Sequence, residues 1–289
     1  MSIELLVEAV IAGVLLGCFY AAVSVGLSVA FGLLDIPHIA HPAFLVLGAY
    51  GVYVLGQHGI DPLFGGILLI PIFFLLGVAV YRFYHAVFEK RGTDAGLRGL
   101  AFFFGVAFIV EVALILTFGV DQRMVDAPYI GKGLALGEFR LPLRMLVSFG
   151  VALLLTAALS LYLSTTFTGR AIKAVAQDQT ALALMGADPV RIKQWAFGIA
   201  TGTCAIAGAL LIVVGPVEPG LGRLYIGRTF CVAVLAGLGS MPGTLAAGII
   251  LGVAESVVLT SLGASWAPAV AFGILLLVLA VKPAGLFGR

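Results

Sequence analysis

Residues 31–44, FGLLDIPHIAHPAF, set Asp35, His38 and His41 among apolar neighbours, with Pro37 and Pro42 between them. The thirty residues before them contain no lysine or arginine. Such a stretch is either a loop in water or a break inside a membrane, and the remainder of the chain decides between the two. Of 289 residues, 62% are hydrophobic and 10% charged, with a mean hydropathy of +1.17. A soluble domain carries about a quarter charged residues. Apolar runs of about 20 residues, each long enough to cross a ~30 Å hydrocarbon core as helix, recur throughout. The expected fold is therefore an all-α integral membrane protein, a polytopic bundle forming one transmembrane domain over residues 1–289 with no sizeable soluble part.

The expected segments are 5–33, 43–57, 63–85, 98–118, 142–166, 193–215, a half-length 228–238, 244–262 and 266–282. Eight are long and one is short. Asp61-Pro62 and Asp188-Pro189 each offer a capping carboxylate followed by proline at the first helical position. Orientation follows from the cations in the connections. Arg82, Lys90, Arg91, Arg98, Arg170, Lys173, Arg191, Lys193, Lys282 and Arg289 share one side if the short segment turns back, which places the N-terminus outside and the C-terminus in the cytoplasm. The first basic residue is Arg82, so the positive n-region of a signal peptide is missing and the first apolar segment is expected to persist. A dispersed net charge of +2 gives no reason to expect a nucleic-acid partner. Cys18, Cys204 and Cys231 lie in apolar segments and suggest neither a disulfide framework nor a metal site.

GLLDIP at 32–37 aligns with GLGSMP at 237–242, and each ends one apolar segment and precedes another. Proline removes an amide donor and glycine loosens the backbone, so both sites are read as helix breaks. An unpaired peptide group in hydrocarbon costs on the order of 2 to 7 kcal/mol, so neither break can face lipid. Transporters use such discontinuities near a solute. Asp35, His38, His41 and Ser240 are accordingly expected to bound a substrate path. The alternative for the two histidines is bonding to carbonyls that the prolines free. Glu111 and Glu255 lie inside apolar segments and need partners, with structural pairing favoured over solute contact. Thr244, Gly248, Gly252 and Ser256 recur every four residues as a smooth ridge for close helix packing.

Residues 168–187 differ in kind. Arg170, Lys173, Gln177 and Thr180 fall on one helical face and Ile172, Val175, Ala176 and Ala183 near the other, which predicts a short amphipathic helix capped by Thr168 and stopped at Gly186. Its place between two long segments suits a protruding knob for a cytoplasmic partner. The chain has no G-x-x-x-x-G-K-[ST] phosphate loop, so it is expected to hold no cofactor, to be no enzyme, and to rely on another subunit for ATP hydrolysis.

The run GLSVAFGLLDIPHIAHPAFLVLGAYGVYV, together with GRAIKAVAQDQTALALMGADPVRIKQWAF and AVLAGLGSMPGTLAAGIILGVAES, resembles the permease subunits of branched-chain amino-acid ABC importers across nearly the whole chain. The resemblance implies a bacterial or archaeal cytoplasmic membrane, a homologous sister permease, two cytoplasmic ATPase subunits and an external solute-binding protein. It also implies that Arg170, Lys173, Gln177, Asp178 and Gly186 belong to a coupling helix. The chain departs from the family's Asn-Phe-Ala-His-Gly-like run with His38-Ile39-Ala40-His41-Pro42, exchanging an amide for an imidazole. Branched-chain amino acids, other amino acids, urea, amides and small carboxylates all stay open as solutes. Two rival readings remain: an ion-coupled secondary transporter using the intramembrane carboxylates, and an intramembrane metalloenzyme with Asp35, His38 and His41 as ligands. The coupling-type helix opposes the first rival. The small number of histidines, four in the chain, opposes the second.

Overall fold

The computed structural model describes residues 3–34, 36–91, 95–136, 139–237, 239–282 and 285–287. Among these, eleven α-helices follow in order: α1 (Ile3–Ala30), α2 (His41–Gln57), α3 (Pro62–Val87), α4 (Ala95–Phe118), α5 (Leu143–Thr165), α6 (Phe167–Gln177), α7 (Gln179–Leu184), α8 (Pro189–Val214), α9 (Gly222–Ala236), α10 (Met241–Leu262) and α11 (Ala267–Val281). Seven helices are long and apolar enough to cross a membrane, and the shorter α2 and α9 complete a polytopic helical membrane protein. The expected caps hold: Asp61 accepts from the Leu63 amide and Asp188 from those of Val190 and Arg191.

Two features differ from the sequence reading. The connection between α4 and α5 contains a small antiparallel hairpin, β1 (Gly133–Leu136) with β2 (Phe139–Pro142). The short helix α9 begins at Gly222 rather than at 228, so Arg223 belongs to a helix and not to a connection.

The bundle is built twice. α1 packs along α10 as α3 packs along α8, and α2 rests against α3 and α4 as α9 rests against α10 and α11. Both long pairs are antiparallel: Gly13 meets Val253 and Gly17 meets Ile249, while Gly66 meets Ala209 and Gly77 meets Thr201. The four-residue ridge lies in the first seam. A Cβ on Gly248 would stand 2.5 Å from the Gly17 carbonyl oxygen, so backbone meets backbone there. In this arrangement α1 to α4 correspond to α8 to α11. The GLLDIP and GLGSMP segments are therefore not equivalent members of the two repeats, since one precedes α2 and the other precedes α10, the counterpart of α3. They are nonetheless neighbours in space.

Candidate functional site

The first break is a sequence of tight turns. Helical bonding runs on through Phe31, Gly32 and Leu33, after which Ile36 N donates to Ala30 O (3.2 Å), His38 N to Ile36 O (2.8 Å) and His41 N to His38 O (3.1 Å). Local turns thus pair much of the backbone that the prolines interrupt. Asp35 lies outside the described residues. The second break carries Gly239 at φ +84°, a left-handed conformation that suits glycine, and Ser240, whose hydroxyl caps α10 by accepting from Gly243 N (3.2 Å). The two breaks touch: a Cβ on Gly32 would lie 2.3 Å from the amide nitrogen of Gly239. Thr244 donates to Ser28 (3.0 Å) just beside the contact.

His38 and His41 are sealed within the chain. His41 opens α2, and its Nε2 lies 2.9 Å from the Val23 carbonyl, which fixes Nε2 as the donor. Its Nδ1 is then the acceptor facing the Cys204 thiol at 3.4 Å, so one imidazole ties α2 to α1 and α8. His38 is 0% exposed, with ring centroids of Phe197, Phe103, Phe44 and His41 at 4.6, 5.0, 5.5 and 5.6 Å. Among the described residues, neither of its nitrogens has a partner. A buried polar group left unsatisfied costs about 1–3 kcal/mol. Ser240 is partly exposed, so of the described break residues it alone among the three side chains reaches a surface.

Glu111 and Glu255 are both paired, as their cost requires. Glu255, buried in α10, accepts from Tyr20 O–H (2.5 Å) and from Arg228 Nε (3.0 and 3.3 Å), with the guanidinium carbon 5.6 Å from the Tyr20 ring centroid and 5.7 Å from that of Tyr225. Glu111 in α4 forms a two-point pair with Arg223, including Nε to Oε2 at 3.0 Å. These arginines were missed as site residues. Part of the signal was available: two acids within apolar helices demand two cations, but the sequence does not say which of its cations they meet.

Between α5 and α8 the polypeptide forms an elbow. The expected single helix is two. Thr166, rather than Thr168, caps α6 by accepting from Gly169 N (3.0 Å), and Asp178 interrupts the helix with φ −154° and ψ 109°. The Asp178 carboxylate then caps α7, accepting from the amides of Thr180 (2.8 Å) and Ala181 (3.0 Å), a competition with helix bonding that short acidic side chains often win. Arg170, Lys173, Gln177 and Asp178 are exposed while Ile172 and Val175 are buried, as their spacing predicts; Ala176 and Ala183, expected on the buried face, are exposed. Gly186 has φ +83°, the left-handed ending its type suggests. Sequence reasoning missed the tip. Leu184 and Met185 are 86% and 84% exposed, an apolar pair raised on a polar elbow.

Close to the elbow a polar latch joins α3 to α8. Glu89 accepts from Lys193 Nζ (2.6 Å), Tyr81 O–H (2.7 Å) and His85 Nδ1 (2.8 Å). Burial of Glu89 opposes its charge most strongly, yet the hydrogen bonds from Lys193, Tyr81 and His85 together hold the carboxyl below its usual range. By contrast, a groove of about 520 Å³ between α3, α5 and α8 is lined almost wholly by apolar groups such as Ile70, Phe74, Leu159 and Ile206. That lining suits hydrocarbon rather than a polar solute.

The family described as "Branched-chain amino acid transport system / permease component" matches residues 9–279. The permease protein BraD of a high-affinity branched-chain amino acid transport system from Pseudomonas aeruginosa is 27% identical over 293 residues, covering 96% of this chain and 94% of that one. LivH, a permease protein of such a system in Escherichia coli K12, is 28% identical with the same coverage. A probable LivH from Methanocaldococcus jannaschii is 23% identical over 246 residues, 81% of this chain and 75% of the relative. In fold, the chain resembles the solved structure of PsaBC from Streptococcus pneumoniae in complex with Fab, with TM-score 0.51 and 13% identity over 98% of this chain and 94% of that one.

Proposed function

The chain belongs to the permease-component family of branched-chain amino acid transport systems, and from that premise we propose how it works as the membrane-spanning half of an ATP-driven importer. It pairs with a homologous sister permease in a bacterial or archaeal cytoplasmic membrane, with the N-terminus outside and the C-terminus inside. Two ATPase subunits supply the energy and an external binding protein delivers the solute. The observation that carries this reading is the α6–α7 elbow: two capped short helices between α5 and α8, with Leu184 and Met185 raised at its tip. An apolar pair on a polar, exposed elbow suits insertion into a groove of an ATPase, with Arg170, Lys173, Gln177 and Asp178 around it and Gly186 ending it. The ion-coupled alternative loses support because both acids it needs, Glu111 and Glu255, are held by arginines.

The touching breaks, 31–41 and 237–243, bound the solute path. His41 holds the wall from behind, Ser240 stands at its edge, and His38 belongs to the same wall; Asp35, the other residue expected there, lies outside the described residues. The two unpartnered nitrogens of His38 support a second conformation in which the break opens and gives them polar company.

Reconstitution in proteoliposomes tests the reading. Uptake of a branched-chain amino acid should require ATP, the ATPases, both permeases and the binding protein, and the isolated chain should hydrolyse no ATP. Uptake by this chain alone under a proton or sodium gradient would overturn it.

A further inference from the structure

Helix α9 carries two arginines, each paired to an intramembrane acid, and the two pairs are built to opposite specifications. Arg228 is 19% exposed, flanked by two tyrosine rings, and its carboxylate partner also receives a tyrosine hydroxyl. That pair is largely enclosed. Arg223 also grips its acid at two points, but its side chain is 69% exposed, while Glu111 is 12% exposed.

The open pair lies within the apolar span of α4. Glu111 is about 10 Å inside the end of α4 at the helical rise. Gly222, the residue before Arg223, packs against the start of α2, where its Cβ would stand 3.2 Å from the Pro42 carbonyl oxygen. The same first turn of α2 holds His41 against Val23 and Cys204, both well inside α1 and α8. A guanidinium this open cannot look onto hydrocarbon at such depth, so the face of α9 that carries it borders water or another polar surface. It has capacity left over. Guanidinium offers five N–H donors, of which Glu111 takes two, and a carboxylate accepts about four hydrogen bonds.

We propose that Arg223 and Glu111 are the solute-reading pair of the translocation path, and that they recognise the zwitterion of an α-amino acid. The solute's carboxylate takes the free edge of Arg223 and its ammonium takes the outer lone pairs of Glu111. A cation and an anion in contact match a molecule that carries both opposite charges on neighbouring atoms. Urea or a simple amide offers neither charge, and a free carboxylate offers one, so the pair selects amino acids from the solutes compatible with an importer of this class. No bond is made or broken. This inference rests on the importer reading above.

The experiment uses the assembled importer in proteoliposomes. Uptake of a branched-chain amino acid is measured in wild type, in Arg223→Gln, and in the charge-swapped double variant Arg223→Glu/Glu111→Arg, which keeps an ion pair at the same place. Losing charge-assisted contacts to the solute should lower uptake about tenfold or more in both variants. The swapped variant should melt like wild type. Normal uptake by the swapped variant would overturn the proposal and reduce the pair to a clamp between α4 and α9. A second readout does not depend on the swapped variant assembling: Glu111→Gln should narrow the preference for the amino acid over its deaminated carboxylate by about tenfold, and an unchanged preference would also overturn it. If the wild-type importer moves no solute on ATP, the importer reading falls; if it moves urea or a carboxylate but no amino acid, that reading stands and this inference falls. If wild type transports and the variants match it, only this inference falls.

Discussion

Arg228→Met removes the cation from the closed pair and leaves Glu255 with a single hydrogen bond from Tyr20. The Glu255 side chain is 3% exposed in α10, so water cannot replace the guanidinium. Breaking a buried pair by deleting one partner costs about 3–5 kcal/mol, and the lost contacts to the Tyr20 and Tyr225 rings lie within that range. For a chain of this size 1 kcal/mol corresponds to about 3 °C in melting temperature, so the variant should melt on the order of 10 °C below wild type. Arg228→Met/Glu255→Gln removes both charges and keeps an acceptor for Tyr20. It should recover most of the loss, leaving a coupling energy on the order of 2–3 kcal/mol in the four-member cycle. Thermal melting of the detergent-solubilised chain, read by tyrosine and tryptophan fluorescence, measures all four proteins. The reasoning fails if Arg228→Met melts with wild type, or if the double variant melts as low as the single one.

Three other outcomes are expected. Gly186→Asp forces a side chain into φ +83° with open space around it, so the spans should fold normally while ATP hydrolysis loses its dependence on solute; normal coupling at normal expression would remove the elbow from the docking site. Glu89, whose carboxyl is held below its ordinary value of 4.5, contributes stability that is complete above that value and fades as pH falls through the lower value it has in the folded chain. Glu89→Gln should therefore flatten the acid limb of a melting-temperature-against-pH curve, and an unaltered limb would show that the latch contributes nothing. His38→Phe should raise the melting temperature by removing two unpartnered buried nitrogens, yet lower uptake if His38 joins the path when the break opens; a destabilised variant, or an unchanged rate of uptake, contradicts that pairing of effects.

The long spans were legible because hydrocarbon length and apolar run length are the same quantity in a helix. Where the run is broken by function the reading slipped. Segment 228–238 was begun six residues late because Arg223 interrupts the apolar signal, and a cation in a connection looks the same in sequence as a cation that finds an acid on a distant helix. Asp178 shows the same limit at shorter range. Its carboxylate can continue an amphipathic helix in solvent or stop it by capping the next one, and the neighbours in sequence do not settle which; the packing of Ile172 and Val175 below and the turn toward α8 favour the stop.

The breaks were found for a sound reason and placed in the wrong relation. Proline and glycine mark where helix bonding ends, so GLLDIP and GLGSMP were visible as interruptions, but they do not share a place in the repeat. The repeat itself is carried by packing: α1 on α10 and α3 on α8 require small residues at the seams, and many different sequences supply them. Histidine needs the three-dimensional surroundings even more. The same side chain at 38 and at 41 becomes an orphan ring in an aromatic box and a tie between three helices, because only His41 meets a carbonyl and a thiol. Two imidazoles three residues apart therefore carry opposite energetic signs, one favourable through its bonds and one costly through their absence. Selection for stability alone would have replaced the second with an apolar ring, which is the physical reason to look for its function in a conformation other than this one.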